Sequence, residues 1–205
     1  MAQTHAPLVV GISGASGAIY GIRLLEILQG LQSVETHLVI TSAARQTILL
    51  ETDYTVDAVE ALADKHYRIN DVAAAIASGS FKTRGMVVIP CSIKALSGIA
   101  LSYSDNLLLR AADVTLKERR RLVLVPRESP LHLGHLRLMT QAVEIGAVLV
   151  PPMPAFYHRP RTLDDVINQT VNRVLDLLDI ELPQDLFERW SGPHYEAKAG
   201  GLTDS

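Results

Sequence analysis

The feature that most constrains the fold is a short apolar run that leads into a glycine-rich turn near the start of the chain. Residues 8–13 form the run, and Gly14, Gly17 and an amphipathic pattern over residues 18–29 follow at once. A buried strand, a glycine turn and a helix in this order form the phosphate-binding unit of many α/β proteins, because amides at the helix start donate to anions. The glycines recur every third residue, which differs from the dinucleotide-binding pattern. The turn alone is therefore compatible with a phosphate-bearing ligand or with a purely structural role.

Composition narrows the class of protein. The chain has 205 residues, 48% of them hydrophobic, and a mean hydropathy of +0.18, which suits one domain with a sizeable core. It contains no run of about 18 uncharged apolar residues and no basic start followed by an apolar segment, so we expect neither a membrane span nor a secretory signal. The net charge of -3 gives no general reason to expect nucleic acid. The single cysteine, Cys91, excludes an intramolecular disulfide and favours a cytoplasmic location.

Apolar patterning divides the rest of the chain into alternating strands and helices. The predicted strands after the first are 35–40, 85–90, 122–125 and 148–150. The predicted helices are 18–29, 42–50, 57–63, 73–78, one that starts near residue 92, 105–117, 133–145 and 162–178. This alternation favours a three-layer α/β fold in which helices cover both faces of a parallel sheet. We expect residues 1–190 to form a single domain and residues 191–205, which are poor in apolar side chains, to be a loose tail.

Four loops at the predicted carboxyl ends of strands carry polar groups. These loops are Gly14–Gly17, Thr41–Ser42, Cys91–Lys94 and Arg127–Glu128. Ligands of open parallel sheets bind beyond this edge, so we expect the four loops to converge on one site. Small hydroxyls and free amides suit a phosphorylated, ring-bearing cofactor, and Arg127 could contact its phosphate or its ring. The same residues are also compatible with ordinary helix caps.

A second set of residues indicates an anion site. Arg110 and Lys117 are seven positions apart and share one face of a predicted helix. Arg127, Arg159 and Arg173 flank Tyr157. Such a set predicts binding of a substrate phosphate, although exposed arginines are often no more than solvated charges.

Carboxylates near these loops are candidates for proton transfer, whereas no metal site is predicted. Glu51 and Glu128 each lie at the end of an element beside a proposed ligand loop, so either could act as a general acid or base. His132 and His135 have no further Cys, His or carboxylate ligands in a metal-binding pattern. The acidic residues at 164–165 begin a helix, where they compensate its dipole.

Several segments together resemble the flavin prenyltransferases (UbiX-like), a family formerly described as aromatic acid decarboxylase subunits. The segments that carry the resemblance are 11–18, 51–53, 90–94, 116–120, 125–132 and 151–157. The Pro-Arg-Glu segment at 126–128 and the Pro-Pro-Met-Pro-Ala-Phe-Tyr segment at 151–157 are the most specific. The resemblance spans about residues 8–178.

The resemblance implies a Rossmann-like, flavodoxin-like fold that binds FMN. It implies metal-independent transfer of a dimethylallyl group from dimethylallyl phosphate to reduced FMN, with new bonds at flavin N5 and C6. The prenylated FMN would serve a partner UbiD-like decarboxylase, as in ubiquinone biosynthesis, and this chain itself would decarboxylate nothing. The family forms large homo-oligomers, so a dodecamer with sites between subunits is expected.

Residue roles follow from the same motifs. FMN would contact Gly14, Ala15, Ser16, Thr41, Ser92, Ile93, Lys94, Ala95 and Arg127. Dimethylallyl phosphate would contact Arg110, Lys117, Arg127, Tyr157 and Arg173. The catalytic residues would be Ser16, Glu51 and Glu128, which handle protons, and Lys117. One position departs from the family: Ala95 replaces the usual Thr, so a hydroxyl contact to the flavin is lost if that Thr makes one.

Three other functions stay open at this point. An NAD(P)-binding reductase or redox sensor can share the glycine spacing, but the chain has no Tyr-x-x-x-Lys pair and no acidic residue at the end of the second strand. A flavin-dependent cysteine decarboxylase would share the fold, but the segment 152–154 departs from the Pro-x-Met-Asn pattern of that family. A non-catalytic flavin carrier is the third alternative.

Overall fold

The computed structural model describes residues 6–31 and 33–192, which alternate between strands and helices. The strands are β1 (Leu8–Ile12), β2 (Thr36–Ile40), β3 (Lys65–Tyr67), β4 (Gly85–Cys91), β5 (Arg121–Pro126) and β6 (Ala147–Leu149). The helices are α1 (Ala18–Gln29), α2 (Ser42–Glu51), α3 (Val56–Glu60), α4 (Ile93–Ala100), α5 (Leu107–Lys117), α6 (Leu133–Glu144) and α7 (Leu163–Leu177). A short 3₁₀ turn covers Ala75–Ala77.

All six strands form one parallel sheet in the order β3-β2-β1-β4-β5-β6. This is the Rossmann order, and without the short edge strand β3 it becomes the flavodoxin order. The predicted α/β fold with a parallel sheet and three layers is confirmed. The strand order reverses between β1 and β4, so the carboxyl ends of these two strands mark the crevice where such folds bind ligands.

The core consists of two apolar layers, one on each face of the sheet. Alternate residues of β1 point to opposite faces: Leu8 and Val10 pack in the layer of α1 and α7, and Val9 packs in the layer of α4 and α5. Burial on both faces explains why the central strands are continuously apolar in the sequence rather than alternating. Helix α1 lies directly on β4, because a side chain at Gly21 would come 2.4 Å from the Ile89 carbonyl oxygen.

The edges of the fold differ most from the sequence prediction. The sequence indicates an irregular segment or a short strand over 67–71, whereas strand β3 covers Lys65–Tyr67. It has three residues, two of them exposed, and no alternating apolar pattern. Helix α3 ends at Glu60 rather than at residue 63, and the segment predicted as a helix over 73–78 forms only the 3₁₀ turn. The predicted tail lies outside the described residues except for 191 and 192. Within the described part, no helix is long and apolar enough to cross a membrane.

The glycine turn brings the loop after β1 against the start of α2. A Cβ atom at Gly14 would lie 2.3 Å from the Cβ of Ala43 and 3.2 Å from its carbonyl carbon. Gly17 adopts φ 99, the left-handed region that favours glycine, and it caps α1. Two of the glycines therefore have separate purposes, a close approach at position 14 and an unusual backbone angle at position 17.

We expect Gly14→Ala to lower the free energy of unfolding by about 1–3 kcal/mol, because overpacking against backbone is not easily relieved. The matched control is Gly11→Ala, since its new methyl group would lie 3.0 Å from the flexible side-chain end of Leu108. The midpoint of thermal unfolding at one protein concentration compares the two variants. Equal losses would show that the loop at Gly14 has room to move.

Candidate functional site

Backbone hydrogen bonds join the four candidate loops into one continuous edge. They follow β2, β1, β4 and β5, which are neighbours in the sheet. The Thr41 N–H donates to the carbonyl oxygen of Ile12 at 3.0 Å, and the Arg127 N–H donates to that of Cys91 at 3.2 Å. The convergence of these loops at the carboxyl edge, expected from the sequence, is therefore present in the fold.

Buried Ser13 connects the two loops at the point where the strand order reverses. Its hydroxyl donates to the Pro90 carbonyl oxygen at 2.9 Å and accepts from the Ser92 N–H at 2.7 Å. Its own N–H also donates to the Pro90 carbonyl oxygen, at 3.2 Å. Ser13 was not among the residues singled out from the sequence. The available signal was a hydroxyl residue at the end of an otherwise apolar strand.

Thr41 and Ser92 cap helices, and each keeps a hydroxyl hydrogen for another partner. The Thr41 hydroxyl oxygen accepts from the Ala44 N–H at 3.1 Å, and the Ser92 hydroxyl oxygen accepts from the Ala95 N–H at 3.2 Å. A hydroxyl that accepts a capping bond can still donate its hydrogen. The capping interpretation and the ligand interpretation are therefore both compatible with the same geometry.

Glu51 reaches across from the end of α2 to the start of α1. Its Oε2 accepts from the Gly17 N–H at 2.7 Å and from the Ala18 N–H at 3.4 Å. The sequence interpretation gave the amides at this helix start to a ligand phosphate, whereas the structure gives two of them to a carboxylate. A negative charge at a helix N-terminus is favourable for the same electrostatic reason in both cases.

The glycine turn places Ser16 directly beside this carboxylate. Ser16 is exposed, and the residue after it, Gly17, donates its N–H to Glu51. Ala15, on the other side of Ser16, is largely buried. The structure therefore brings together two of the residues predicted to handle protons. Because Glu51 accepts from the Gly17 and Ala18 N–H groups, these two amides are not available to an anion in this arrangement.

Arg127 and Glu128 lie exposed at the end of β5. Burial raises the pKa of Tyr20, in the first turn of α1, and the positive charge of Arg127 opposes that shift, so the guanidinium acts on the glycine-turn side of the edge. In the described part of the chain, Arg127 has no carboxylate partner. Glu128 accepts from the Ser129 N–H at 3.0 Å through Oε1. Both side chains are therefore accessible to a ligand on this edge.

The loop after β4 presents a mixed set of side chains. Lys94 is exposed, Ile93 is half-buried, and the side chain of Ala95 packs in the apolar layer of α4 and α5. Cys91 is buried, and desolvation raises the pKa of its thiol to about 12. It is a small core residue, as expected.

Arg110 and Lys117, from the predicted phosphate set, lie on α5 away from the glycine turn. The Arg110 guanidinium donates to Asp113 Oδ2 at 2.9 Å and to the Ala77 carbonyl oxygen at 3.1 Å. Lys117 pairs with Glu118 at the last turn of α5, just before β5 begins. That position is the amino edge of the sheet, opposite to the carboxyl edge where the four loops lie.

Tyr157 and Arg173 belong to a third region, formed by α7 and the segments beside it. Arg173 Nη1 donates to Asp176 Oδ2 at 2.8 Å. The ring of Tyr157 contacts Phe187 and Trp190 edge-on, with ring centroids 6.4 and 6.0 Å apart. One protomer therefore does not gather the whole predicted phosphate set in one place.

Among the described residues, no group of three or more His, Cys, Asp or Glu side chains could hold a metal ion. The His132 and His135 rings lie with their centroids 3.6 Å apart and their planes tilted by 34°. His132 Nδ1 accepts from the Gly134 N–H at 3.0 Å, so this nitrogen caps α6.

Comparison with known proteins agrees with this architecture. The Flavoprotein family model matches residues 2–174. The flavin prenyltransferase UbiX of Escherichia coli K12 is 69% identical over 185 residues, which cover 90% of this chain and 98% of that protein.

Two solved structures are similar along nearly their whole length. The dodecameric FMN-dependent UbiX-like decarboxylase of Escherichia coli O157:H7 has a TM-score of 0.87 and 51% identity, covering 91% of this chain and 100% of that one. AnUbiX (PadA1), solved with FMN and dimethylallyl pyrophosphate, has a TM-score of 0.87 and 50% identity, covering 92% and 98%. The cysteine decarboxylase SpaF is 19% identical and shares the fold alone. The chain therefore belongs to the flavoprotein family and, within it, to the flavin prenyltransferases of the UbiX type.

Proposed function

We propose that this protein transfers a dimethylallyl group from dimethylallyl phosphate to reduced FMN. The observation that carries the proposal is the joined edge of four loops in a chain of this family, with Ser16, Glu51 and Arg127 along it. Reduced FMN would supply the nucleophilic N5 and C6 positions. We assign residues 1–190 to one FMN-binding domain.

The residues of the edge fit FMN in shape and in hydrogen-bonding groups. The absence of a side chain at Gly14 lets the turn lie close against Ala43. The Gly17 N–H donates to Glu51 and the Ala15 N–H donates to the Ser13 carbonyl oxygen, so the amides of Gly14 and Ser16 are the ones that would face a ligand. Thr41 and Ser92 each retain a hydroxyl donor for a polar ligand atom. Arg127 offers a planar guanidinium that matches a phosphate or stacks on a ring. In contrast, β2 ends at Ile40 and is followed by Thr41, so no acidic residue is placed there for an NAD ribose.

The cationic residues would stabilise the departing phosphate. Ionisation of an allylic phosphate concentrates negative charge on the leaving group, and preorganised Arg and Lys side chains stabilise that charge. We assign this role to Arg110, Lys117, Arg127 and Arg173, with Tyr157 as a hydroxyl donor. Each of these cations is partly exposed, so each is accessible to a phosphate.

Ser16, Glu51 and Glu128 would handle protons. The carboxylate of Glu51 is held by the Gly17 N–H, one residue from Ser16, so the two side chains act at the same point of the edge. Glu128 lies across the edge at the end of β5, beside Arg127. An acid or base at each side of the ligand would accept the protons that N5 and C6 lose and would supply the proton that the allylic double bond takes up before the bond to C6 forms.

We further propose that the active site is completed between subunits of a dodecamer. Two observations support this: Lys117 lies at the opposite sheet edge from Glu51, and α6 exposes apolar side chains with only Ala142 buried. Leu133 and Leu136, on α6, are 60% and 47% exposed, as expected for a face that another subunit covers. The similar dodecameric structure fits this assembly.

The product would leave for a second protein. We propose a UbiD-like decarboxylase as the recipient of the prenylated FMN and a cytoplasmic location for the transfer. The single cysteine, which is buried and unpaired, is compatible with a reducing compartment.

We expect the protein to bind FMN more tightly than FAD or NADPH. The edge offers a compact phosphate turn and no acidic residue for a second ribose. Equilibrium titration measures the three affinities, and tighter binding of NADPH would refute the flavin assignment. Anaerobic incubation with reduced FMN and dimethylallyl phosphate, followed by mass analysis, should then show a flavin that has gained one dimethylallyl unit.

We expect Glu51→Gln to slow single-turnover prenylation by about 10²–10⁴-fold while FMN affinity is retained. The amide oxygen of Gln can still accept from the Gly17 N–H, so the cap of α1 survives but the proton acceptor is lost. Glu51→Ala is the matched comparison, because it also removes the cap and should cost about 0.5–2 kcal/mol of stability. A wild-type rate in Glu51→Gln would exclude Glu51 from proton transfer.

We expect Lys117→Ala to slow prenylation by about 10²–10³-fold, the usual cost of one preorganised electrostatic contact. Lys65→Ala is the control, because Lys65 makes the same kind of exposed ion pair, with Glu35 at 3.1 Å. Single-turnover rates and FMN titration separate chemistry from binding. Equal rates in both variants would show that Lys117 is no more than a solvated charge.

Co-expression of Lys117→Ala with Glu51→Gln tests whether the site is shared. If the two residues come from different subunits, about one quarter of the sites in a random mixture contain both native residues. Mixed assemblies should then recover activity that neither variant has alone. No recovery in confirmed mixed assemblies would contradict a shared site.

A further inference from the structure

The segment that follows α7 forms a strap along that helix. We call residues 179–190 the strap. It is attached near its start by buried Ile180 and in the middle by the Leu186 N–H, which donates to Oδ1 of buried Asn172 at 2.8 Å. A cavity of about 360 Å³ lies between the strap and α7. Ile180 is buried and Leu182 and Leu186 pack against the core, so apolar packing holds part of the strap, and polar contacts add to it toward the far end.

Arg189 supplies those contacts at the far end of the strap. Its guanidinium donates to both carboxylate oxygens of Asp176 on α7, at 2.8 and 3.0 Å. It also donates to Asp185 within the strap, at 2.5 and 2.6 Å. A guanidinium that forks onto a carboxylate fixes orientation as well as distance, which a single surface ion pair does not.

Asp176 is also the partner of Arg173, which the proposed function places at the substrate phosphate. Asp176 Oδ2 accepts from Arg173 Nη1 at 2.8 Å, and Asp176 is the less exposed member of the pair. Only one nitrogen of Arg173 is used in this contact, whereas a guanidinium carries five N–H donors. The contact therefore orients Arg173 and leaves donors for an anion.

The strap also contacts Tyr157, the other residue of this region assigned to the phosphate. Phe187 and Trp190, which flank Arg189, lie edge-on to the Tyr157 ring. Tyr157 is in the loop after β6, and Arg173 is on α7. Arg173 is thus connected to Arg189 through Asp176, and Tyr157 contacts the strap residues on either side of Arg189.

We propose that Arg189 and Asp176 are positioning residues for the phosphate end of the allylic substrate, through Arg173 and through the strap that packs on Tyr157. The proposal rests on the proposed function. When the strap is released, Tyr157 is in its binding position in a smaller fraction of the protein molecules. The apparent affinity for the substrate falls in proportion to that fraction. The flavin edge lies on other loops, so FMN binding does not depend on the strap.

The test compares Arg189→Gln, Arg189→Lys and Asp176→Asn with the wild-type protein. Arg84→Gln is the matched control, because Arg84 donates to the Asp179 carbonyl oxygen at 3.0 Å and so contacts the strap at its other end. The readouts are KM for dimethylallyl phosphate, kcat, FMN affinity and the fluorescence anisotropy of Trp190. Trp190 is the single tryptophan of the chain, so its anisotropy reports on the strap directly.

We expect Arg189→Gln and Asp176→Asn to raise KM about tenfold, to lower Trp190 anisotropy in the flavin-free protein, and to change FMN affinity less than twofold. Arg189→Lys keeps the charge without the fork and should give an intermediate KM, and Arg84→Gln should match the wild type.

An unchanged KM or an unchanged anisotropy in Arg189→Gln and Asp176→Asn would overturn the proposal. So would a parallel loss of FMN affinity, because that would indicate a general structural role. If Arg189→Gln does not fold, the KM and the anisotropy of Arg189→Lys and Asp176→Asn test the positioning role instead. A wild-type protein that transfers no prenyl group would refute the proposed function, whereas variants equal to an active wild type would refute only the positioning role.

Discussion

The hydrogen bonds of Ser13 are the interaction on which the site depends. They join β1 to the loop after β4 at the one place where the sheet order reverses and the two crossover connections diverge. The helices that follow the two strands lie on opposite faces, and the Ser13 hydroxyl extends the contact from the strand ladder to the Ser92 N–H, at the start of α4. The hydroxyl is buried and its partners are backbone groups, so the contact is insulated from water and is worth more than an exposed one. The glycine turn and the Ser92 cap therefore keep a fixed spacing.

Local patterns were sufficient for most of the fold. Continuous apolar strands and amphipathic helices predict a doubly covered parallel sheet, and the bounds of α1 and α6 agree with the prediction to within a residue. The bounds of strand β3 could not be predicted, since its pairing with β2 comes from tertiary contact rather than from its own three residues. The strap is another such element. Its irregular backbone is held by Arg189, by Asn172 and by the contact of Trp190 with Tyr157, and these contacts join residues that are distant in sequence.

The candidate site was predictable in part, for identifiable reasons. Thr41 and Ser92 follow strands directly, so their place at the carboxyl edge follows from topology. The distance of Lys117 from that edge also follows from topology, because a helix that leads to the next parallel strand ends at the amino edge. The seven-residue spacing of Arg110 and Lys117 indicates a shared helix face but not the edge at which that face ends. The partner of Glu51 was beyond prediction, since it depends on how two helix ends meet in space.

The contact between Glu51 and the start of α1 has a mechanical consequence. It is a link between two helices that exists because the carboxylate is charged and the helix end is positive. If Glu51 takes up a proton during turnover, the attraction weakens at that moment, and the end of α2 is held less firmly against the glycine turn. The charge of Glu51 and the firmness with which the end of α2 is held against the glycine turn would then change together.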